Sequence, residues 1–146
     1  GVSFYWQLQG ELRMDEDAKI YDVDLFDNSA DTIQKIRWKD KIVICYFSAG
    51  TYEDWRSDAD SFPEEVLGNE LDGWRGERWL DIRDSRGRDI MLSRLYLAVE
   101  KGCDGVEPDN IDGYLNDSGF ALSAQDQLQY NMFIANEARR RGLFVG

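Results

Sequence analysis

Apolar residues along this chain recur in short runs, and segments with helical periodicity separate several of these runs. The runs predict strands at residues 3–9, 20–26, 42–48, 79–83 and 104–109, with a last strand that begins at Leu143. The helical period predicts helices over residues 30–38, 88–101 and 124–141. Strands that alternate with helices are typical of an α/β protein with a parallel sheet.

Each predicted helix has an apolar face. The residues that we expect to be buried are Ile33 and Ile36 in the first helix, Met91, Leu95 and Ala98 in the second, and Leu128, Met132, Ala135 and Ala138 in the third. The third helix also has clear end signals. Ser123 is the expected N-cap, Asp126 lies in the first turn, and Gly142 is expected to end the helix.

The predicted strands have one apolar side and one polar side. Strands of a parallel sheet are usually apolar on both sides, because helices cover both faces. Here the apolar side contains Val23, Leu25, Val43, Cys45, Phe47, Leu80, Ile82 and Val106. The polar side contains Tyr5, Gln7, Gln9, Asp22, Asp24, Tyr46, Ser48, Asp81, Arg83, Glu107 and Asp109. This pattern predicts a barrel whose polar interior opens at the carboxyl ends of its strands, and a solvated sheet face is the alternative.

The segment DGVEPDNIDGY, residues 104–114, contains the candidate chemistry. Glu107 and Asp109 are two positions apart on a strand, so their side chains project to the same face. An unpaired buried carboxylate is costly, whereas a pair of carboxylates is the usual apparatus for cleaving a glycosidic bond. The alternative is that both acids are solvated loop residues or partners of a nearby Arg, and Arg83 is a candidate counter-ion.

Composition narrows the possible chemistry. The 17 basic and 29 acidic residues give a net charge of −12, which argues against a nucleic-acid partner. The chain has no His, so Ser-His and Cys-His triads are excluded within it and a zinc site is disfavoured. No apolar run approaches the roughly 20 residues of a membrane span. The acidic surface would attract cationic ligands or simply maintain solubility.

The two cysteines leave two possibilities open. Cys45 lies within a predicted strand and Cys103 directly before another. Free buried thiols are the simpler interpretation, and a disulfide in a secreted protein is the alternative.

The longest connection, residues 49–78, is predicted to be an aromatic loop. Its large rings are Tyr52, Trp55, Phe62 and Trp74. Such rings could form a cleft wall, because flat aromatic faces stack on sugars and attract cations. Alternatively, they pack the loop onto the protein as a small core of its own.

Several blocks of sequence resemble one family when they are taken together. In chain order they are YWQL (5–8), YDVDLFD (21–27), VICYFSAGTYEDWR (43–56), FPEEVLG (62–68), GW-GERWLDIR (73–83), GCDGVEPDNIDGY (102–114) and AQDQLQYNMFIANEARRRGLFVG (124–146). These blocks resemble the endo-α-1,4-polygalactosaminidases, glycoside hydrolase family 114. The resemblance covers nearly the whole chain, with the motifs in the same order.

The resemblance implies a (β/α)8 barrel and the hydrolysis of α-1,4-linked, galactosamine-rich polysaccharide without a metal or organic cofactor. It also implies secretion, with any leader absent from this chain, and residues 1–146 would form a single catalytic-type domain. The matching motif assigns an essential Asp to Asp109. We add Glu107 as the other catalytic candidate, deeper in the site, where it would tune Asp109 by like charge or hold a substrate hydroxyl. The cleft would be lined by Trp6, Gln7, Asp24, Tyr46, Ser48 and Asp81, and we add Arg83, Asn110 and Tyr114 as candidates. Deacetylated galactosamine is cationic, so an acidic groove would attract it.

Length is the point of departure from the family. An eight-stranded barrel takes roughly 250 residues, so we expect an incomplete barrel that lacks its last two strands. The resemblance then implies that a second catalytic acid, a Glu, lies on the absent part. Open sheet edges would favour self-association. Two other interpretations remain: a catalytically incomplete sugar-binding fragment, and a Mg²⁺ site formed by Asp81, Glu107 and Asp109.

Overall fold

The computed structural model describes all 146 residues and divides into two compact units. Unit 1 comprises residues 1–47, 94–108 and 137–146, and unit 2 comprises residues 48–93 and 109–136. The strands are β1 (Phe4–Gln7), β2 (Ile20–Asp24), β3 (Ile42–Ser48), β4 (Thr51–Glu53), β5 (Leu67–Leu71), β6 (Trp74–Leu80), β7 (Gly105–Asp109) and β8 (Phe144–Val145). The helices are α1 (Ala30–Arg37), α2 (Ser85–Lys101) and α3 (Ala124–Arg140), with short 3₁₀ turns at Ala59–Ser61, Glu64–Val66 and Gly113–Leu115. The prediction of a single domain stays a prediction.

A five-stranded parallel sheet forms the body of unit 1. Its strand order is β1-β2-β3-β7-β8, and β1 with β2 and β2 with β3 pair in regular parallel register. The side predicted to be apolar is buried: it contains Val23, Leu25, Val43, Cys45, Phe47 and Val106. Asp22, Asp24 and Ser48 of the polar side are buried as well. The α/β class with a parallel sheet is therefore confirmed. β1 and β8 form the edges of this sheet, and self-association through them stays a prediction.

The strand predicted at residues 79–83 is wrong, and so is the loop predicted at residues 49–78. β6 ends at Leu80 and pairs antiparallel with β4 and β5 in a separate sheet of unit 2. Asp72 and Gly73 connect β5 to β6, and Gly73 has φ +78°, which suits a two-residue hairpin turn. An Asp-Gly pair is a strong hairpin signal, so the sequence contained this turn. The parallel sheet consequently has five strands rather than six.

Two of the predicted helix faces are correct and the third is wrong. Ile33 and Ile36 of α1 are buried, as are the expected residues Met91, Leu95 and Ala98 of α2. In α3 Ala138 is buried as expected, but the other buried residues are Gln127, Tyr130 and Ile134, while Leu128 and Met132 are 52% and 55% exposed. The reason is Tyr130, whose hydroxyl donates a short hydrogen bond to the Ala49 carbonyl in unit 2. That bond turns the Tyr130 side of the helix inward.

The ends of α3 follow the prediction. The backbone N–H of Asp126 donates to Ser123 Oγ over 3.0 Å, and the Ser123 N–H donates to Asp126 Oδ2 over 2.9 Å. This reciprocal pair satisfies two backbone donors at the start of the helix. Gly142 ends the helix with φ +80°, the left-handed conformation that glycine adopts without a steric cost. None of the helices has the length and apolar character that crossing a membrane requires.

Cys45 and Cys103 form a disulfide, so the simpler interpretation of free thiols is wrong. The bond joins β3 to the residue two positions before β7, its neighbour in the sheet. The two half-cystines are 58 residues apart in sequence. Closing a loop of this length lowers the entropy of the unfolded chain enough to stabilise the fold by about 4 kcal/mol.

Two carboxyl groups share a hydrogen bond inside unit 1. Asp22 on β2 is only 2% exposed, and its partner is Glu107 on β7. Burial, followed by the hydrogen bond and the charge of Glu107, raises the pKa of Asp22 to about 9. Asp22 is therefore protonated at neutral pH and donates to Glu107. Its Oδ1 atom is buried without a hydrogen-bond partner, so this carboxyl group is held at a cost.

The Asp22 pair predicts a specific pH dependence of stability. The pKa of Asp22 is higher in the folded state than in the unfolded state, so the folded state binds more protons between about pH 4 and pH 9. The contribution of Asp22 to the free energy of unfolding therefore falls as the pH rises through that window. Asp22→Asn keeps a donor and does not ionise. We expect its stability relative to wild type to increase from pH 5 to pH 8, by at most about 1.4 kcal/mol per pH unit.

Urea unfolding at both pH values measures this change. Asp17→Asn is the matched control, because Asp17 is an exposed residue of the same unit. Its stability relative to wild type should be the same at both pH values. An equal offset for Asp22→Asn at pH 5 and pH 8 would contradict the assignment of a shared proton.

Candidate active site

Asp109 stands at the carboxyl end of β7, at a junction with very close backbone contacts. Its side chain is exposed, and its carbonyl accepts a hydrogen bond from the Ala49 N–H over 2.9 Å. The next residue, Asn110, has φ +57°, in the left-handed region that Asn tolerates better than most residues. A Cβ atom at Gly50 would lie 1.8 Å from the Asn110 carbonyl oxygen, so only glycine fits there. The backbone at the Asp109 carbonyl and at Asn110 is thereby fixed.

Side-chain hydrogen bonds reinforce the junction within unit 2. Asn110 Nδ2 donates to Ser48 Oγ over 2.9 Å, and Ser48 shares a short hydrogen bond with Thr51. Thr51 Oγ1 then donates to Glu77 Oε2 over 3.0 Å. Ser48, Thr51 and Glu77 are all buried. We refer to Asn110, Ser48, Thr51 and Glu77 as the Asn110–Glu77 chain.

The electrostatics around Glu77 are set mainly by burial. Burial raises the pKa of Glu77, and the negative charges of Glu53 and Asp109 raise it further. The Thr51 hydrogen bond and the positive charge of Arg56 act in the opposite direction. Arg56 also forms a buried ion pair with Glu53, with nitrogen–oxygen distances of 3.2 and 3.4 Å. Glu77 is thus a buried acid whose pKa depends in part on the charge of Asp109.

Asp81 and Arg83 form a pair of their own in unit 2. Arg83 Nε lies 2.8 Å from Asp81 Oδ1 and Arg83 Nη2 lies 3.0 Å from Asp81 Oδ2, and this contact raises the pKa of Arg83. The expectation that Arg83 is the counter-ion of Glu107 or Asp109 is therefore replaced by a contact with Asp81. Tyr114, the remaining candidate in unit 2, is an exposed residue of the Gly113–Leu115 turn. No group of three or more His, Cys, Asp or Glu side chains has an arrangement that could hold a metal ion.

The candidates in unit 1 have varied environments. Trp6 is exposed on β1, Tyr46 is half-buried on β3, and Glu107 is bonded to Asp22. Gln7 shapes the segment after β1, because its Nε2 donates to the carbonyls of residues 9 and 11 over 2.9 and 2.8 Å. Asp24 shapes the turn after β2, because its Oδ1 accepts from the N–H groups of residues 26 and 27. The contacts of Gln7 and Asp24 support the local fold.

A cleft of about 430 Å³ lies within unit 2 and includes Asn110 in its wall. It is lined by Asn69, Glu70, Leu71, Asp72, Trp74, Trp79, Asn110, Asp112, Asn116 and Asp117. Trp74 is 57% exposed, so its ring is available for stacking. Four carboxylates and no basic side chain line the cleft. We refer to this space as the acidic cleft.

The large aromatic residues of segment 49–78 were expected either to form a cleft wall or to pack as a local core, and the structure shows both. Trp74 lines the acidic cleft. Phe62 is buried and packs edge-on against Tyr52, with ring centroids 5.7 Å apart, so these two rings form part of a local core. Trp55 is exposed beside the Arg56 guanidinium, which lies 5.8 Å from the ring centroid. Only Trp74 of the four rings lines this cleft.

Thr51, Glu77 and most of the residues that line the acidic cleft were not predicted from the sequence. The alternation of β6 places Glu77 between outward-facing positions, but the predicted loop had no alternation to apply. The cleft forms because Asn69 on β5 bonds to residues 117 and 118 beyond β7. That meeting of distant segments leaves no local signal. The Asp-Gly turn was the available clue to the hairpin that carries Glu70, Asp72 and Trp74.

Comparison with known proteins supplies the family. The model of glycoside-hydrolase family GH114 matches residues 1–146. A search of curated proteins found no match. The crystal structure of Aspergillus fumigatus Ega3 in complex with galactosamine is 46% identical in sequence, with a TM-score of 0.97. That match covers 100% of this chain and 59% of the Ega3 chain, so this chain spans less than two thirds of that protein's length.

Two more distant structures support the fold alone. The glycoside hydrolase domain of PelA from Pseudomonas aeruginosa is 14% identical, with a TM-score of 0.70 and coverage of 99% of this chain and 57% of that one. The α-galactosidase TtGalA from Thermus thermophilus is 12% identical, with a TM-score of 0.68 and coverage of 99% and 37%. The partial coverage agrees with a (β/α)8-type fold of which this chain forms an incomplete barrel. With its whole length matched by the family model, the chain belongs to glycoside-hydrolase family GH114.

Proposed function

We propose that the protein is a glycosidase that cleaves α-1,4-linked galactosamine or N-acetylgalactosamine polysaccharide with a pair of carboxylates, of which Asp109 is one. The observation that carries the proposal is the position of Asp109: an exposed carboxylate at the carboxyl end of a parallel strand, on a fixed backbone. Active sites of barrel enzymes lie at these strand ends. The 46% identity to Ega3, a structure that contains galactosamine, supports the substrate class.

Asp109 would act as the nucleophile or as the base of the pair. Glycosidic cleavage needs a second carboxyl group, which protonates the leaving oxygen. We propose that a Glu supplies it, as the resemblance to the family implies. Glu107 bonds to Asp22, and we propose that it does not react. In unit 2 the residues that we propose to contact substrate are Asn110 and Tyr114, while the buried Ser48 supports Asn110. A role for Trp6 and Tyr46 of unit 1 in substrate binding stays a prediction.

The acidic cleft suits units of a cationic polymer. Deacetylated galactosamine carries an ammonium group, which Glu70, Asp72, Asp112 and Asp117 would attract. The exposed Trp74 ring would stack on a sugar face. Asn110 connects this cleft to Asp109, so the polymer would extend from the reacting bond along the cleft. The Cys45–Cys103 disulfide supports a secreted location, because disulfides persist in oxidising compartments.

A second candidate function is a carbohydrate-binding fragment without catalytic activity. The observation that favours it is the burial and hydrogen bonding of Glu77, the acid whose pKa is raised in part by the charge of Asp109. Glu77 is buried and already hydrogen-bonded to Thr51, so it is poorly placed to protonate a leaving group. Within this chain Asp109 would then bind sugar without a partner for hydrolysis.

Asp109→Asn separates these candidates. In a protein that contains both acids of the pair, this substitution should abolish the release of reducing ends from partly deacetylated poly-α-1,4-galactosamine, because an amide neither attacks nor accepts a proton. Asp60→Asn is the matched control, since Asp60 is an exposed acid of the same unit, and it should keep full activity. Release that persists in Asp109→Asn would contradict the proposed role. No release from wild type or variant, with binding retained, would favour the second candidate.

The acidic cleft makes a prediction about binding. Affinity for galactosamine oligomers should fall as salt rises from 0.05 to about 0.5 M, because ions screen exposed charges. N-acetylated oligomers of the same length carry no charge and should show little salt dependence. Trp74→Ala should weaken binding about fivefold, the equivalent of roughly 1 kcal/mol of stacking and cation–π interaction.

Isothermal titration calorimetry measures each of these affinities. Trp38→Ala provides the control, because Trp38 is an exposed tryptophan of unit 1 outside the cleft. A salt dependence that is equal for charged and neutral oligomers would contradict the cleft assignment. So would an equal effect of the two tryptophan substitutions.

A further inference from the structure

Glu77 is a buried carboxyl group that the proposed hydrolysis does not use. It is 8% exposed and lies in β6, the central strand of the antiparallel sheet of unit 2. A buried carboxyl group is costly compared with an apolar residue of similar size. Packing alone therefore does not account for an acid at this position. Its contacts indicate what it does.

The Asn110–Glu77 chain has a defined direction when Glu77 is ionised. A carboxylate only accepts, so Thr51 gives its single hydroxyl proton to Glu77 Oε2. Thr51 then has only acceptor capacity for its short contact with Ser48, and Ser48 is the donor in that contact. Ser48 in turn accepts from Asn110 Nδ2. Each donor in the chain thus points toward the charge on Glu77.

The far end of the chain lies directly beside Asp109. Asn110 is held with φ +57°, and its carbonyl packs on Gly50 with no room for a side chain. The Asn110 side chain bonds to Ser48 and, more weakly over 3.5 Å, to Thr51. Any rearrangement of those hydroxyl groups changes what holds Asn110. Such a rearrangement therefore reaches the residue that directly follows Asp109.

We propose that Glu77 is a positioning residue for Asp109 and acts through Thr51, Ser48 and Asn110. The charge on Glu77 orients the two hydroxyl groups, and these hold the Asn110 amide that fixes the end of β7. The catalytic part of this proposal rests on the proposed function, in which Asp109 is one of the two reacting carboxylates. The coupling itself is a property of unit 2 and exists with or without substrate.

The charged groups that face Glu77 determine the pH at which Glu77 ionises and the hydrogen bonds of the Asn110–Glu77 chain rearrange. Glu53 on β4 and Asp109 on β7 oppose its ionisation, and Arg56 favours it. When Glu77 takes up a proton, its hydroxyl can donate to Thr51, and Thr51 no longer needs to donate to Glu77. Thr51 can then donate to Ser48 instead, which changes the hydrogen bond that Ser48 makes with Asn110. The state of Asn110 should consequently follow the ionisation of Glu77 as well as that of its neighbour Asp109.

Nuclear magnetic resonance tests this coupling without any sugar. In wild type, the Asn110 side-chain amide should show two titration steps: one that matches the Asp109 carboxyl carbon and one that matches the Glu77 carboxyl carbon. Glu77→Gln removes the ionisable group but keeps an acceptor for Thr51. We expect the second step to disappear in this variant while the first remains.

A second variant separates the hydrogen-bond chain from a direct effect of charge. Thr51→Val has the same shape without the hydroxyl group, so Glu77 still titrates but Asn110 should no longer follow it. Thr51→Ser should restore the second step. Glu65→Gln is the control for charge, because Glu65 is an exposed acid of unit 2, and it should retain both steps.

Three results would overturn the proposal. The first is a wild-type Asn110 amide that shows no step at the Glu77 midpoint. The second is a step that survives in Glu77→Gln, and the third is one that survives in folded Thr51→Val. If Thr51→Val does not fold, the Glu77→Gln result decides alone. Because these spectra require neither activity nor ligand, loss of the proposed glycosidase function would leave their outcome unaffected.

Discussion

The close contact between Gly50 and the Asn110 carbonyl is the constraint on which the candidate site depends. A Cβ atom at residue 50 would meet that oxygen at 1.8 Å, so the two segments approach only because residue 50 is glycine. The approach brings the Ala49 N–H to the Asp109 carbonyl and Asn110 to Ser48. The main chain at the Asp109 carbonyl and at Asn110 is therefore held in place. A carboxylate on such a support keeps one direction, which is what attack at a sugar carbon requires.

Acidic residues in this protein serve different purposes according to their burial. Asp22 is buried and protonated, and it stabilises Glu107 as a donor. Glu77 is buried and organises two hydroxyl groups. The carboxylates of the acidic cleft and of Asp109 face solvent, where they can meet a cationic polymer. The net charge of −12 therefore combines distinct roles, and only the exposed part bears on substrate attraction.

Local pattern was sufficient to predict the parallel strands, their buried side and the ends of α3. These features depend on residues that are adjacent in sequence, such as Ser123 with Asp126. The antiparallel sheet was missed because two of its buried positions are occupied by the acids Glu53 and Glu77, which hides the alternation of apolar and polar residues. Only the Asp72-Gly73 turn marked it. The disulfide and the Asp22–Glu107 bond could not be predicted, since each joins segments that the fold brings together across the sheet. Asp109 could be predicted because it lies in a recognisable local motif. Glu77 could not, because its contact with Thr51 joins segments that are distant in sequence.

The most direct test of this account is a crystal structure of the Asp109→Asn protein soaked with a galactosamine trimer. The account predicts sugar density within hydrogen-bonding distance of residue 109, continuing past Asn110 into the acidic cleft beside Trp74. Unchanged positions of Ser48, Thr51 and Glu77 in the same crystal would show that the support of residue 109 is intact. Sugar bound elsewhere on the molecule, with residue 109 and the cleft empty, would contradict the assignment of Asp109 as the centre of the site.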